Sequence, residues 1–307
     1  MKKIIYTLLI TFLSVAGWSQ SEDIFTFNLF NQLNFNPAAA GHKEVLDAGA
    51  IYRNQWWSGI PGSPTTINVW GHMPFMKYRS GIGLNIISDN IGLDRILKFS
   101  GNYAYRIKFN GSNVLALGIG VQLDNARADW TEANQGVTIG DNQIGGSAES
   151  KTSFNVGPGV YFKNDKFYVG ASIPRLLANS LYTEDRGNFD FAQNVLFLNG
   201  GLSIPFGDDL ELLPNIQTRL NTGEVPFDID LNVNLMIKQM LLVGAMYRLD
   251  DSIDGLIAYQ LKNGLRLGFA MDFTTSDLSD ATTGSFEIML GYTFPCETCV
   301  IKNLRYF

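Results

Sequence analysis

The stretch from Phe227 to Lys238, FDIDLNVNLMIK, alternates between two kinds of side chain. Every odd-numbered residue in it is apolar, and every even-numbered residue except Met236 is polar. A period of two residues is typical of a β-strand with one apolar and one polar face. The stretch is also longer than the roughly five or six residues of an ordinary soluble strand. It therefore predicts a long strand that separates an apolar environment from a polar one.

The same alternation recurs at Asn113–Asn125, Leu265–Phe273 and Ser285–Phe294. A tilted strand that crosses a bilayer needs about 9 to 11 residues. A membrane β-barrel turns its apolar faces to lipid, whereas a soluble sandwich buries them, and the alternation by itself allows both. The length of the strands favours the barrel.

About 14 strands are predicted, and their connections are of two kinds. Tight turns such as Asn110-Gly111-Ser112 and Asn263-Gly264 follow the even-numbered strands. Longer connections, at Ala126–Lys151, Leu176–Ala192 and Thr274–Gly284, follow odd-numbered strands. Short turns on one side and long loops on the other are typical of bacterial outer-membrane proteins. We therefore predict an all-β, transmembrane, antiparallel up-and-down β-barrel whose long loops face outward.

The start of the chain predicts export. Met1–Lys3 is basic, Ile4–Ala16 is a short apolar run, and Gly17–Ser19 offers small residues for a signal peptidase. The apolar run is shorter than the roughly 18 residues that a transmembrane helix needs. We expect residues 1–19 to be a cleaved signal peptide.

The rest of the chain divides around the barrel. The expected parts are a periplasmic N-terminal segment at 20–44, the outer-membrane barrel at 45–294 and a periplasmic C-terminal tail at 295–307. The tail contains the cysteines of the chain, Cys296 and Cys299. Because an exported protein meets an oxidising compartment, we expect a small structural disulfide between them.

Charge and motif content argue against several classes of function. A formal net charge of −6 disfavours a nucleic-acid partner, which requires a basic face. The two histidines, His42 and His72, belong to no hydrolase or metalloprotease motif, and His72 is expected to face the lumen. One C-x-x-C pair supplies two of the roughly four ligands that zinc prefers. We expect no enzymatic activity, no metal and no cofactor.

Two motifs near the N-terminus resemble a known family. They read Asn36-Pro37-Ala38-Ala39-Ala40-Gly41, and Tyr52-Arg53-Asn54-Gln55-Trp56 followed by Gly59-Ile60-Pro61-Gly62-Ser63-Pro64-Thr65. In order and spacing they are similar to the PorP/SprF family of Bacteroidota outer-membrane proteins. The resemblance implies an outer-membrane barrel of the type IX secretion and gliding motility system. Its implied partners are outer-membrane lipid, type IX secretion components, and a secreted adhesin or other cargo with a C-terminal secretion domain.

The motif residues are the candidate partner-binding site. They are Asn36, Pro37, Gly41, Arg53, Asn54, Gln55, Trp56, Gly59, Pro61, Gly62 and Pro64. Arginine and aromatic residues are what binding hot spots favour, although the tryptophans also suit the aromatic girdle of a barrel. The alternation predicts that Arg53 and Gln55 face the lumen, while Tyr52 and Trp56 face lipid.

Two functions are compatible with this sequence. One is a non-enzymatic accessory of type IX secretion that assists export or surface anchoring of large cargo, and it follows from the resemblance. The other is a porin-like channel for small solutes, which a barrel with charged lumen residues would suit. The sequence does not distinguish an open lumen from a plugged one.

Overall fold

The computed structural model describes residues 23–57, 60, 62–75, 79–128, 149–177, 195–221, 228–280 and 282–294. The expected signal peptide, the C-terminal tail with Cys296 and Cys299, and the motif residues Gly59 and Pro61 lie outside these ranges. What the sequence predicts for them stays a prediction.

The described residues form 14 strands and three short 3-10 turns. The strands are Asp47–Asn54, Thr65–Phe75, Ser80–Ile91, Asp94–Lys108, Val114–Ala128, Glu149–Lys163, Phe167–Ser172, Val195–Leu202 continuing as Ile204–Phe206, Leu210–Asn221, Asp228–Ile237, Leu241–Arg248, Ser252–Gln260, Leu265–Thr274 and Ser285–Thr293. The 3-10 turns are Gln32–Asn34, Pro37–Ala39 and Asp277–Asp280. Among these residues, no helix is long and apolar enough to cross a membrane.

The eighth strand is counted once although it is interrupted at Ser203. On both sides of Ser203 it pairs with the ninth strand in one register, with Gly201 opposite Asn215 and Ile204 opposite Leu212. Pro214 of the ninth strand has no N–H to donate at this level, which interrupts the ladder without shifting it.

Every strand pairs antiparallel with its neighbours in sequence, and the last strand pairs with the first. At this seam, Asp47 lies opposite Thr293 and Asn54 lies opposite Phe286. Closure leaves the sheet without an exposed edge, as a membrane-spanning sheet requires. The predicted up-and-down barrel and its strand count are confirmed.

Alternating side chains face lipid and the interior, as the sequence predicts. In the strand Asp228–Ile237, Leu231 is 46% exposed on the outer surface, whereas Asp230 and Asn232 on the inner surface are each 1% exposed. His72 faces inward, as expected. The apolar outer band suits lipid, and the polar inner face must find its partners inside the barrel.

The two ends of the barrel differ in their connections. One end has turns of a few residues, in which Gly111 and Gly207 adopt positive φ angles that favour glycine. The other end has the connections 129–148 and 178–194, which lie outside the described residues. We call these the short-turn end and the long-loop end.

The N-terminal segment differs from expectation. The sequence predicts a periplasmic N-terminal segment at residues 20–44, but residues 23–45 run along the inside of the wall. Every residue from Ile24 to Leu33 and from Phe35 to His42 is buried. The physical reason is apolar surface, because Phe25, Phe27 and Phe30 pack against inward-facing wall residues and would otherwise meet water. We call residues 23–45 the plug.

Candidate functional site

The plug runs from the long-loop half of the lumen to the short-turn end. Near its start, Asp23 forms an ion pair of 2.5 Å with Lys98, in the half of its strand next to the long-loop end. Near its end, Glu44 pairs with Lys108, the last residue of the same strand, at 3.1 Å. The chain then turns into the first strand at Asp47. The interior of the barrel is therefore filled by the chain's own N-terminal residues.

The motif Asn36–Gly41 packs backbone to backbone against the wall. Asn36 accepts a hydrogen bond from the Ala38 N–H (2.9 Å) and donates one to the Val160 carbonyl oxygen (3.1 Å), joining the plug to the sixth strand. Pro37 begins a 3-10 turn, where its fixed φ is favourable, and Gly41 ends the motif at φ +69°. These residues are a structural contact within the barrel and do not lie on an exposed surface.

Wall glycines make this contact possible. A Cβ at Gly118 would meet the backbone of Ala38, one at Gly81 would meet the Ala40 carbonyl, and one at Gly159 would meet the Asn36 side chain. Each contact would be closer than van der Waals radii allow, so glycine is required for the plug to approach. We call this contact, between Asn36–Gly41 and the wall glycines, the glycine lock.

The opposite side of the lumen carries a belt of buried charges. It consists of Arg53, Arg219, Asp230, Arg248, Asp272 and Glu287. Arg248 and Arg53 each join two of the carboxylates, and Arg219 pairs with the first of them. The pairs Arg219–Asp230, Arg248–Asp230, Arg248–Asp272, Arg53–Asp272 and Arg53–Glu287 therefore form one chain. Buried charges require such pairing, because an isolated one would lose its hydration without compensation. We call these six residues the charged belt.

The plug is attached to this belt through its backbone. Glu287 Oε1 accepts the Thr26 N–H at 2.7 Å, and its Oε2 accepts the Phe27 N–H at 3.1 Å. The Thr26 hydroxyl donates to Asp272 Oδ1 at 2.7 Å. Charged acceptors make strong hydrogen bonds to N–H donors, and here they satisfy backbone groups that lie far from water.

A second polar cluster holds the plug at the short-turn end. The Lys43 ammonium lies 2.9 Å from Asp47, which also pairs with Arg266 at 3.2 Å. Burial and the positive charge of Arg266 together lower the pKa of Lys43 to about 8, although the Asp47 carboxylate opposes the shift. Burial opposes ionisation of Glu44, but Arg106 and the neighbouring lysines outweigh it and hold the pKa of Glu44 below its ordinary value.

The two histidines meet in this cluster. The His42 and His72 rings lie 4.8 Å apart between centroids, and His42 Nδ1 lies 2.8 Å from the Ala39 carbonyl oxygen, to which it donates. Burial lowers the pKa of His42 well below its ordinary value, and the neighbouring His72 lowers it further. A protonated His42 would be unfavourable here, so its neutral form belongs to the packed plug.

Arg53, at the centre of the second motif, is buried and belongs to the charged belt. It is 2% exposed, which makes it unavailable to an external partner. It faces the lumen as the alternation predicts, and Tyr52 beside it faces outward. The sequence gives no sign that the partners of Arg53 are Asp272 and Glu287, more than 200 residues away.

The remaining motif residues that the structure describes, together with Trp57, form a rim at the long-loop end. Gln55 donates its N–H to the Pro64 carbonyl (2.9 Å), and Gly62, at φ +76°, accepts from the Gly92 N–H (2.9 Å). Asn54 ends the first strand next to them. The connection 55–64 is thus tied to a neighbouring turn through its described residues.

Two tryptophans complete the rim. Trp56 adopts φ +52°, which is strained for a bulky residue, and its N–H is held by Ser285 Oγ at 3.3 Å. Trp57 donates its N–H to the Gly284 carbonyl at 3.0 Å and packs edge-on against Phe286. Its side chain is 50% exposed, which makes it the most exposed aromatic group among the described residues of the rim.

Residues 18–292 match the family model described as "Type IX secretion system membrane protein PorP/SprF". The chain belongs to the PorP/SprF family. A barrel with an apolar outer band, in a secretion-system membrane protein, lies in the outer membrane. No curated protein matches the chain closely enough to be counted as a relative.

Solved structures with the same architecture are distant in sequence. The "CymD monoaromatic hydrocarbon channel" is 11% identical at a TM-score of 0.53, over 87% of this PorP/SprF chain and 93% of its own. The "P. putida toluene transporter TodX" is 9% identical at a TM-score of 0.49, over 92% and 96% of the two chains. At these identities the likeness concerns the fold alone.

Within the described ranges, no group of three or more His, Cys, Asp or Glu residues is arranged to hold a metal ion.

Neither the plug nor the residues that bind it are among the features predicted from the sequence. The signal was present in Ile24–Phe35, IFTFNLFNQLNF, which has too much aromatic surface for a segment in water. Glu287 and Asp272 stand at polar positions of alternating strands, so their inward direction was predictable. Their pairing with Thr26 and Phe27 depends on how the plug lies in the closed barrel, which alternation does not encode.

Proposed function

We propose that this PorP/SprF protein is a non-enzymatic accessory of type IX secretion that assists the export or cell-surface anchoring of large cargo proteins such as gliding adhesins. The observation that carries the proposal is the plug. A barrel whose interior is occupied by its own chain acts through its rim, its turns or its lipid-facing surface.

The plug weighs against the solute channel. Two of the cavities between plug and wall have volumes of about 10 and 30 Å³. A cavity of this size holds about one or two water molecules, which is far too small for a sugar or an amino acid. The plug is bound at both ends by ion pairs and in the middle by the glycine lock. A channel would require that these contacts be released.

The rim is the surface that we propose for the partner. Trp57 is exposed beside Phe286, and aromatic groups are favoured at binding hot spots. The hydrogen bonds of Trp56, Trp57 and Gly62 to neighbouring connections hold the rim in place before binding. A rigid rim loses less conformational entropy when a partner binds. Arg53 is excluded from this surface by its burial and acts on the rim through the first strand.

The experiment compares two aromatic residues in the producing cell. Trp57→Ser removes the exposed aromatic of the rim, and Phe206→Ser, 56% exposed at the short-turn end, removes an aromatic from the opposite girdle. Both variants are expected to insert, as judged by heat-modifiable migration on gels. Only Trp57→Ser is expected to reduce the surface display of a cargo adhesin. Equal display in both variants, with normal insertion, would leave the rim as a membrane girdle.

A planar bilayer recording tests the alternative function. The purified full-length protein is expected to give no steady conductance. Steady, solute-selective conductance by the unmodified protein would overturn the accessory proposal in favour of the channel.

A further inference from the structure

The first part of the plug is bound by the wall in the way that a peptide ligand is bound. Residues Ile24–Phe30 form neither a strand nor an α-helix, and they hold a turn bond from the Phe30 N–H to the Phe27 carbonyl. Two successive backbone donors, those of Thr26 and Phe27, go to the side chain of Glu287 on the last strand. The wall therefore supplies the polar partners that secondary structure would otherwise supply.

The acceptors are fixed in position by other wall residues. Arg53 Nη1 lies 2.6 Å from Glu287 Oε1 and 2.7 Å from Asp272 Oδ2, and it makes only a long contact of 3.5 Å with the Thr26 hydroxyl. Arg53 thus orients both carboxylates, while Thr26 shares Glu287 Oε1 with Arg53 and donates to the other oxygen of Asp272. Such preorganisation is what a binding site requires.

A pocket for an aromatic ring lies beside these carboxylates. The Phe27 side chain is fully buried, and a Cβ added to Gly268 would lie 2.8 Å from Phe27 Cζ. The absence of a side chain at Gly268 therefore makes room for the ring, which Met289 also covers. The ring of Phe30 stacks on Arg266, with the guanidinium carbon 4.9 Å from the ring centroid.

The second part of the plug is attached differently. Asn36–Gly41 is packed against wall glycines at backbone distance and continues directly into the first strand. It can leave only if the wall deforms. Ile24–Phe30 instead uses hydrogen bonds to side chains and one aromatic pocket, which another peptide can reproduce.

We propose that Arg53, Gly268, Asp272 and Glu287 form a peptide-binding site on the inner wall, occupied in this structure by the chain's own Ile24–Phe30. The site recognises a peptide in a turn conformation that offers two successive backbone N–H groups, a hydroxyl side chain on the first of these residues and an aromatic side chain on the second. A peptide of this chemistry can take the place of the resident segment. The inference does not rest on the secretion role, because it concerns the inner wall and is tested without cargo.

The test weakens the resident segment and leaves the wall intact. In the full-length chain, Thr26→Pro with Phe27→Ala removes one N–H, the hydroxyl and the ring. The variant is expected to insert normally and to conduct ions in planar bilayers at least tenfold more than the unmodified protein. A Thr26→Ser variant keeps the hydroxyl and both N–H groups and is expected to stay closed.

A synthetic peptide then identifies the site. The peptide IFTFNLFN, residues 24–31 with a lysine tail for solubility, is expected to reduce the conductance of the Thr26→Pro/Phe27→Ala barrel at least fivefold. The same peptide methylated on the nitrogens of the residues corresponding to Thr26 and Phe27 cannot donate to Glu287 and is expected to have no effect. Equal block by both peptides, or a variant that stays closed while correctly inserted, would overturn the proposal.

A wall variant covers the case in which the double variant does not insert. Glu287→Gln keeps the shape of the side chain but can satisfy only one of the two N–H groups with an acceptor. It is expected to show transient openings, whereas Asp124→Asn, an acid-to-amide change at another buried residue of the lumen, is expected to show none. The absence of openings in Glu287→Gln, or equally frequent openings in both variants, would contradict the proposed site.

Discussion

Arg53 and Glu287 lie directly opposite each other across the seam where the first and last strands close the barrel, with Nη1 and Oε1 2.6 Å apart. The pair therefore joins three things: the two ends of the sheet and, through the second oxygen of Glu287, the backbone of the plug.

Removal of Arg53 should destabilise the barrel strongly. Arg53→Ala leaves Glu287 and Asp272 buried without their shared cation, and breaking such a buried pair costs about 3–5 kcal/mol. The free energy of unfolding in urea, in detergent micelles or vesicles, measures the loss. Lys108→Ala removes an exposed partner of Glu44 and should cost no more than about 1 kcal/mol. Similar losses for the two variants would show that the seam pair is not a special contact.

A methyl group at Gly118 should displace the plug. The Cβ of Gly118→Ala would collide with the backbone of Ala38. A backbone cannot move aside by a rotamer change, as a side chain could. Gly101→Ala, on the neighbouring strand, would make only ordinary contacts and should be tolerated. Proteolysis of the folded, inserted barrel measures the effect, because a displaced plug becomes a substrate. Equal resistance of both variants to protease would contradict the glycine lock.

Acidification should weaken the plug through His42. Because burial holds the pKa of His42 well below its ordinary value, the unfolded chain takes up the proton first as the pH falls through about 6.5. The contribution of His42 to stability is therefore fully present above that pH and is lost below it. The loss amounts to up to about 2 kcal/mol between pH 7.5 and pH 5. Unfolding midpoints of His42→Gln should fall less over this range than those of the unmodified protein; an unchanged pH dependence would exclude His42 as the cause.

Arginine on the lipid face should be costly. Leu231→Arg places a charge near the middle of the outer apolar band and should cost about 2–4 kcal/mol. Leu231→Phe keeps an apolar group facing lipid and is the matched control. Heat-modifiable migration reports the folded fraction. A normal folded fraction for Leu231→Arg would contradict the assignment of this face to lipid.

The long-loop end should face the outside of the cell. An epitope inserted near Gly140, within the connection 129–148, should bind antibody on intact cells. One inserted in the turn at Gly207–Asp209, where a side chain at Gly207 would meet no neighbour, should bind only after the outer membrane is opened. The reverse result would invert the orientation.

The fold was predictable because alternation is a local property. A run such as Phe227–Lys238 carries its own two faces, and turn residues such as Asn263-Gly264 mark where each strand ends. The plug was not predictable in the same way. Its 3-10 turns and extended residues have no period, and the position of Asn36–Gly41 depends on glycines that lie between about 40 and 130 residues further along the chain.

The candidate site was predictable only in part. The alternation directs Arg53 inward and Tyr52 outward, and both positions agree with the structure. Arg53 is a candidate partner-binding residue from the motif, but its burial keeps it from the outer surface, because an arginine that faces a closed lumen has other groups of the chain as its nearest partners. The motif spacing locates the important residues but does not separate those that hold the plug from those that form the rim.

Glu287 accepts hydrogen bonds from the N–H groups of both Thr26 and Phe27, and this has a consequence for the assembly of the barrel. Among the described residues, this contact joins the part of the chain that leaves the ribosome first to the part that leaves it last. Pairing of the final strand with the first strand therefore also brings Glu287 to the N-terminal residues. Assembly in the membrane must therefore keep the N-terminal residues inside the growing sheet until the last strand has closed the barrel.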